Sequence, residues 1–178
     1  MDWMTFIASS IIAAGISGIS ALYFKKVEYK YDFKKYVLKR RIEAYEKAEL
    51  LINHTNDKYF ENDSEGNQVA VPRFFYNEKK SPIIFDDYVT NTKKIFDYSI
   101  WFTDKFSELL LGLNIIMALI QTELYSSKET DDKLIRLGIK YSPQINEQIS
   151  LLLNQFFFDM QKLDDISEFK LKKKNFTF

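Results

Sequence analysis

Residues Trp3 to Phe24 read WMTFIASSIIAAGISGISALYF, twenty-two residues with no charge and no proline. Coiled as an α-helix at about 1.5 Å per residue, the stretch is roughly 33 Å long. That matches the ~30 Å hydrocarbon core of a bilayer. A helix satisfies its own backbone polar groups, which lipid cannot do for it. Residues 1–24 are therefore expected to form one transmembrane helix. Met1 and Asp2 supply no basic n-region, and no small-x-small cleavage site stands before a polar mature start. The segment is expected to stay uncleaved.

Lys25, Lys26, Lys30, Lys34, Lys35, Lys39, Arg40 and Arg41 follow at once, eight cations against Glu28 and Asp32, a net +6. The positive-inside rule puts this flank in the cytoplasm, with the N-terminus outside and the body inside. Next to anionic lipid each such cation gains on the order of 1 kcal/mol, so the neck is read as a lipid-headgroup contact. A nucleic-acid footprint would use the same residues, but residues 42–178 carry a net −5 and direct RNA contact is disfavoured. The chain has no cysteine, which excludes a disulfide framework and a thiolate metal site.

The span has two unlike faces. At 100° per residue Ser9, Ser10, Ser17 and Ser20 share one arc, with Ala13, Ala14 and Ala21 in or beside it and Gly18 at its edge. Ile11, Ile12, Ile16, Ile19 and Leu22 fall opposite. Small residues let helix backbones approach in lipid. The small face is expected to pack against other copies or to line a narrow pore. The alternative is a monomeric anchor that happens to be rich in Ser and Ala.

The rest of the chain predicts an all-α fold, the span continuing into a cytosolic antiparallel bundle of long helices. No Gly or Pro lies between Gly18 and Gly66. Residues 25–55 are expected to be a basic neck and first cytosolic helix, with Tyr31, Leu38, Ile42, Tyr45 and Ile52 as its apolar stripe and Glu43–Lys47 as an i,i+4 pair. Residues 56–82 read as a long loop around the turn sequence NDSEGN, with apolar islands at Val69–Val71 and Phe74–Tyr76. Residues 83–167 read as a helical hairpin. Its first arm starts near Ser81-Pro82 and runs unbroken to Leu124. A turn at Ser126–Thr130 follows, with Ser127 as a possible cap, and Pro143 kinks or breaks the return helix near Tyr141-Ser142. Residues 168–178 form a basic, aromatic tail.

No glycine-rich phosphate loop, GxSxG or HExxH is present. The pairs Asp86/Asp87, Asp131/Asp132 and Asp164/Asp165 diverge by about 100° on a helix and read as solvated faces. With one histidine and no cysteine, a transition-metal site is improbable. No catalytic residue, metal or cofactor is expected. Metal-independent RNases on helical bundles place an arginine a few residues before a histidine, whereas the arginine nearest before His54 is Arg41. The remaining enzymatic alternative is a divergent RNase using His54 with Arg136 brought near by folding.

In its size, its single span WMTFIASSIIAAGISGISALYF, its basic neck and its helical body, the chain resembles the small membrane accessory proteins of type VI-B CRISPR systems, of the kind that enhances RNA-guided interference. The resemblance covers nearly the full length. It implies a ring-shaped homo-oligomer in the bacterial inner membrane, functionally coupled to an RNA-guided RNase. When phage RNA activates that RNase, the ring would permeabilise or depolarise the membrane. The divergent RNase-like Arg…His spacing discussed for this family is absent. A non-conducting scaffold that recruits a cytosolic partner is the rival expectation.

Overall fold

The computed structural model describes residues 3–76, 84–126 and 131–163, and for residues 3–21 and 131–132 the backbone alone. The chain divides into two compact units, Met1–Lys39 and Arg40–Phe178. The first is helical from Trp3 onward, as the opening of helix α1 (Trp3–Asn56). The side chains of Ser9, Ser10, Ala13, Ala14, Ser17, Gly18, Ser20 and Ala21, expected to pack the span, lie outside the described residues.

The second unit is mostly helical, but it is not all-α. After α1 come strands β1 (Lys58–Asn62) and β2 (Gln68–Pro72), helix α2 (Phe85–Phe96), helix α3 (Asp104–Tyr125) and helix α4 (Asp131–Gln161). Short 3-10 turns occupy Arg73–Phe75 and Ser99–Trp101. The stretch expected to be a long loop is thus largely a β-hairpin, antiparallel with Lys58 opposite Pro72 and Asn62 opposite Gln68. The turn sequence does close it. Asp63 Oδ1 accepts from the N–H of Glu65 and of Asn67 at 2.9 and 2.8 Å, and Gly66 takes φ +85. A residue without Cβ adopts that conformation at no steric cost.

The arm expected to run unbroken to Leu124 is two helices. Thr103 ends the intervening turn and caps α3, its hydroxyl accepting from Phe106 N–H at 3.3 Å. Conversely, α4 passes through Pro143 without a break. Proline removes one helical N–H and costs roughly 3 kcal/mol in a helix interior. Leu134, Leu137, Ile145, Ile149, Leu152 and Phe156 form one buried stripe across it, so both halves dock on the same core. The Ser127 cap and the Ser81-Pro82 start lie outside the described residues, and α2 begins at Phe85 with Asp86 and Asp87 in its first turn.

Within the second unit α1 buries Ala44, Tyr45, Ala48, Leu51 and Ile52. Tyr45 and Ile52 of the expected stripe are in this face, whereas Tyr31 and Ile42 are exposed. The expected Glu43–Lys47 pair is replaced, Glu43 meeting Arg40 at 3.0 Å and Lys47 donating to the Tyr98 hydroxyl. By length and composition α3 is apolar enough to cross a membrane. It nevertheless buries Phe106, Leu110, Leu113, Met117 and Ile120 in the core, as expected of a core helix.

The hairpin lies hard against α4. A Cβ on Gly138 would stand 2.8 Å from Phe75 Cγ and 2.9 Å from Val71 Cγ1, and both neighbours are fully buried. Gly138→Ala should therefore lower stability. The overpacking cost of about 1–3 kcal/mol exceeds the roughly 1 kcal/mol of helix propensity gained. A fall in the urea midpoint with unchanged slope checks this.

Candidate functional site

Three groups of residues bring polar chemistry together: the basic neck, a buried polar node and a cleft. Lys25, Lys26, Lys30, Lys34, Lys35 and Lys39 are all exposed. Tyr23, Phe24, Tyr29 and Tyr31 stand exposed among them. Arg40 is exposed and bridges Glu43. Arg41 does not belong to this surface. It is 2% exposed, and its guanidinium donates to the carbonyls of Leu163 at 2.7 Å and Lys162 at 3.4 Å. Those carbonyls follow the C-terminus of α4, where a helix leaves acceptors unsatisfied and favours a cation. The expected headgroup contact at Arg41 is therefore corrected to a helix-end contact inside the second unit.

One turn further along α1, Tyr45 begins the polar node. The carboxylate of Asp159 is 1% exposed. It accepts from Tyr45 Oη at 2.6 Å, Thr103 Oγ1 at 2.7 Å and Gln155 Nε2 at 2.7 Å. The Tyr45 ring packs edge-on against Phe102, Phe106 and Phe156. Burial, then the hydrogen bond to Asp159 and its negative charge, hold the Tyr45 hydroxyl protonated well above the ordinary tyrosine range. All three donors to the carboxylate come from the protein, which describes a structural joint.

The cleft is the open site. It encloses about 550 Å³ between the C-terminal part of α1 and the α2 segment. Leu50, Leu51, Tyr88 and Ile95 form its apolar part. Lys47, His54, Asn91, Lys94, Asp97, Tyr98 and Trp101 bring polar and aromatic groups to it. Lys47 Nζ donates to Tyr98 Oη at 2.7 Å and stands 4.4 Å from that ring's centre. At the other end Thr55 Oγ1 and Tyr88 Oη share a buried hydrogen bond of 2.5 Å. His54 lies here, but Arg136 is not among the lining residues, so the structure does not bring the postulated pair together in this cleft.

Asp86 accepts from Tyr125 Oη at 2.8 Å, a role consistent with a solvated helix start. The side chains of Asp131 and Asp132, and all of Asp164 and Asp165, lie outside the described residues. Among the described residues no group of three or more His, Cys, Asp and Glu side chains could hold a metal ion. The site class is thus a two-helix cleft on a mostly helical body with one strand pair. Compared with protein-family profiles, curated proteins and solved structures, the chain matches none.

The Asp159 node is invisible in sequence, because its four members are scattered over more than a hundred residues. A signal for part of it was Thr103-Asp104, a cap preceding an apolar run. Removing the Tyr45 donor, as in Tyr45→Phe, should cost about 1–3 kcal/mol. Tyr45, Tyr76 and Tyr88 all have folded values raised by burial. An unfolded tyrosine ionises at about 10. Their contribution is therefore complete below that pH and is lost as pH rises above it toward the folded values. Urea midpoints should fall steadily above pH 10, and less steeply in Tyr45→Phe.

Proposed function

We propose that the protein is a membrane-anchored, non-enzymatic homo-oligomer that acts as a pore-like effector, enhancing RNA-guided antiviral interference by permeabilising or depolarising the inner membrane. The observation that carries the anchor is the continuity of α1. Its uncharged opening runs directly into a helical surface on which six lysines and the aromatics Tyr23, Phe24, Tyr29 and Tyr31 are exposed. Lysines and amphipathic rings at a helix's exit from lipid occupy the headgroup layer. The small face of the span supports contact between copies. The link to an RNA-guided RNase rests on the family resemblance.

An apolar face on the second unit also supports self-association. Leu111, Ile115 and Leu119 recur every four residues on the outside of α3 and are 45, 53 and 52% exposed. A helix apolar on both sides is usually covered on both.

The full-length protein should resist alkaline extraction from membranes and, in detergent, form particles several times the 21.1 kDa of one chain. A monodisperse monomer would remove the oligomer. In infected cells carrying the activated RNase, a potential-sensitive dye should report depolarisation. Exchanging residues 3–24 for an unrelated single-pass helix should abolish it. Full antiviral activity with the exchanged span would favour the non-conducting scaffold instead.

A further inference from the structure

Given the reading of α1 as a membrane anchor, on which this rests, we propose that residues 170–178, KLKKKNFTF, are a second membrane contact that binds the anionic surface of the same bilayer. Arg41 donates to the carbonyls of Lys162 and Leu163, so the chain leaving α4 is fixed beside position 41 of α1. Phe24, the last residue of the uncharged stretch, lies seventeen residues before Arg41. In a helix that is about 26 Å, and tilting α1 only brings Arg41 closer to the lipid boundary. Fully extended, the nine residues from Leu163 to Lys172 reach up to about 30 Å, and the fifteen to Phe178 about 50 Å. Lys172, Lys173 and Lys174 are therefore within reach of lipid headgroups at any tilt.

Charge is ordered to match that distance. Asp164, Asp165 and Glu168, which an anionic surface repels, come first, in the stretch that covers the gap. Lys170, Lys172, Lys173 and Lys174 follow, with no acid among or after them. Such a cluster of cations beside a membrane binds anionic lipid. Leu171, Phe176 and Phe178 supply apolar groups that enter the headgroup boundary while the ammonium groups stay in water. The same character begins within the described residues. Phe157, Phe158 and Met160 are exposed near the end of α4, and Lys162 Nζ stands 4.1 Å from the centre of the Phe158 ring. RNA would meet the same lysines, but attachment to α1 gives the bilayer the advantage of an intramolecular partner, an effective concentration of about millimolar. The body's own acids compete less well, because Glu43, Asp57, Glu108 and Glu123 are each already bridged to a cation.

The test uses the full-length Thr177→Cys protein, in which the introduced thiol is unique because the chain has no cysteine. It is labelled with a fluorescent maleimide and reconstituted into vesicles of phosphatidylcholine alone or mixed with phosphatidylglycerol. Quenching of the dye by acrylamide, a neutral aqueous quencher, should be about threefold or more weaker in the anionic vesicles. In about 1 M salt, where the screening length is about 3 Å, that protection should be lost. Combining Lys172→Gln, Lys173→Gln and Lys174→Gln should remove it as well. A dye on Ser150→Cys, an exposed position of α4, should be quenched equally in both vesicles. Equal quenching of the Thr177→Cys dye in the two vesicles overturns the proposal, and is what a segment folded onto the body would give. So does protection that survives the triple substitution, or a short RNA added to phosphatidylcholine vesicles that protects the dye more than phosphatidylglycerol does. Failure of the protein to float with either vesicle overturns the anchor and this contact together, whereas flotation with equal quenching overturns this contact alone.

Discussion

The second unit depends on a single buried carboxylate. An ion such as that of Asp159, removed from water, costs several kcal/mol unless it is compensated. Here compensation comes from three directions: Tyr45 on α1, Thr103 at the head of α3, and Gln155 on α4 itself. The Thr103 hydroxyl donates to Asp159 while accepting from Phe106 N–H. One hydroxyl thereby both starts α3 and fastens it to α4. Shifting any one of the three elements leaves the charge short of a donor, so the joint specifies their mutual register more sharply than apolar packing does. Arg41 reinforces the same corner by meeting carbonyls just beyond the end of α4.

From that corner the remaining elements follow by packing. The hairpin closes over α4 because Gly138 lets Phe75 and Val71 approach its backbone, and because Asn146 Nδ2 donates to the Ala70 carbonyl at 2.9 Å. Phe74 then stacks on Tyr88 with ring centres 3.9 Å apart, and Phe75 on Phe85 at 5.5 Å. Tyr88 is the residue that α1 reaches through Thr55. The hairpin thus braces the beginning of α2, while the end of that segment is tied by Lys47 to Tyr98. The cleft is lined from both sides by Lys47, Leu50, Leu51 and His54 of α1 and by Tyr88, Asn91, Lys94 and Ile95 of α2.

Much of the helical architecture was legible in the sequence. The helical course of α1, the turn at NDSEGN, the core role of Leu110, Leu113, Met117 and Ile120, and the return helix all followed from periodicity and turn chemistry. The errors have particular causes. KYFEN and QVAVP are five residues each, one is polar at both ends, and neither alternates cleanly, so a strand period of two had too few residues to register. The interruption between α2 and α3 was hidden because Tyr98, Phe102 and Phe106 continue a helical spacing through residues that are not helical. Pro143 does not break α4, because the apolar stripe on either side of it carries more packing energy than one lost N–H. Arg41 groups with the lysines before it in composition, which records charge and not direction. Of the cleft's lining residues, the sequence marks His54 as a candidate for chemistry and Lys47 as the partner of Glu43. Lys94, Asn91 and Trp101 are ordinary residues in sequence, and only the antiparallel crossing of α1 and α2 brings them together.

Hydrophobicity alone does not separate the two apolar helices of this chain. Both the opening of α1 and the whole of α3 are long enough to cross a bilayer. What separates them is where charge falls. The opening of α1 contains none from Trp3 to Phe24, and its cations begin immediately afterwards on an exposed helical surface. In α3, by contrast, Asp104, Lys105 and Glu108 occupy the first turns, Lys105 and Glu108 pair at 3.0 Å in the open, and Glu123 near the far end binds Lys140 at 2.8 Å. Inserting α3 would carry Asp104, Lys105 and Glu108 toward lipid and strip Phe106, Leu110 and Leu113 from a core already formed around Tyr45. Leu111, Ile115 and Leu119 stay on the outer face of α3, opposite the residues that pack around Tyr45.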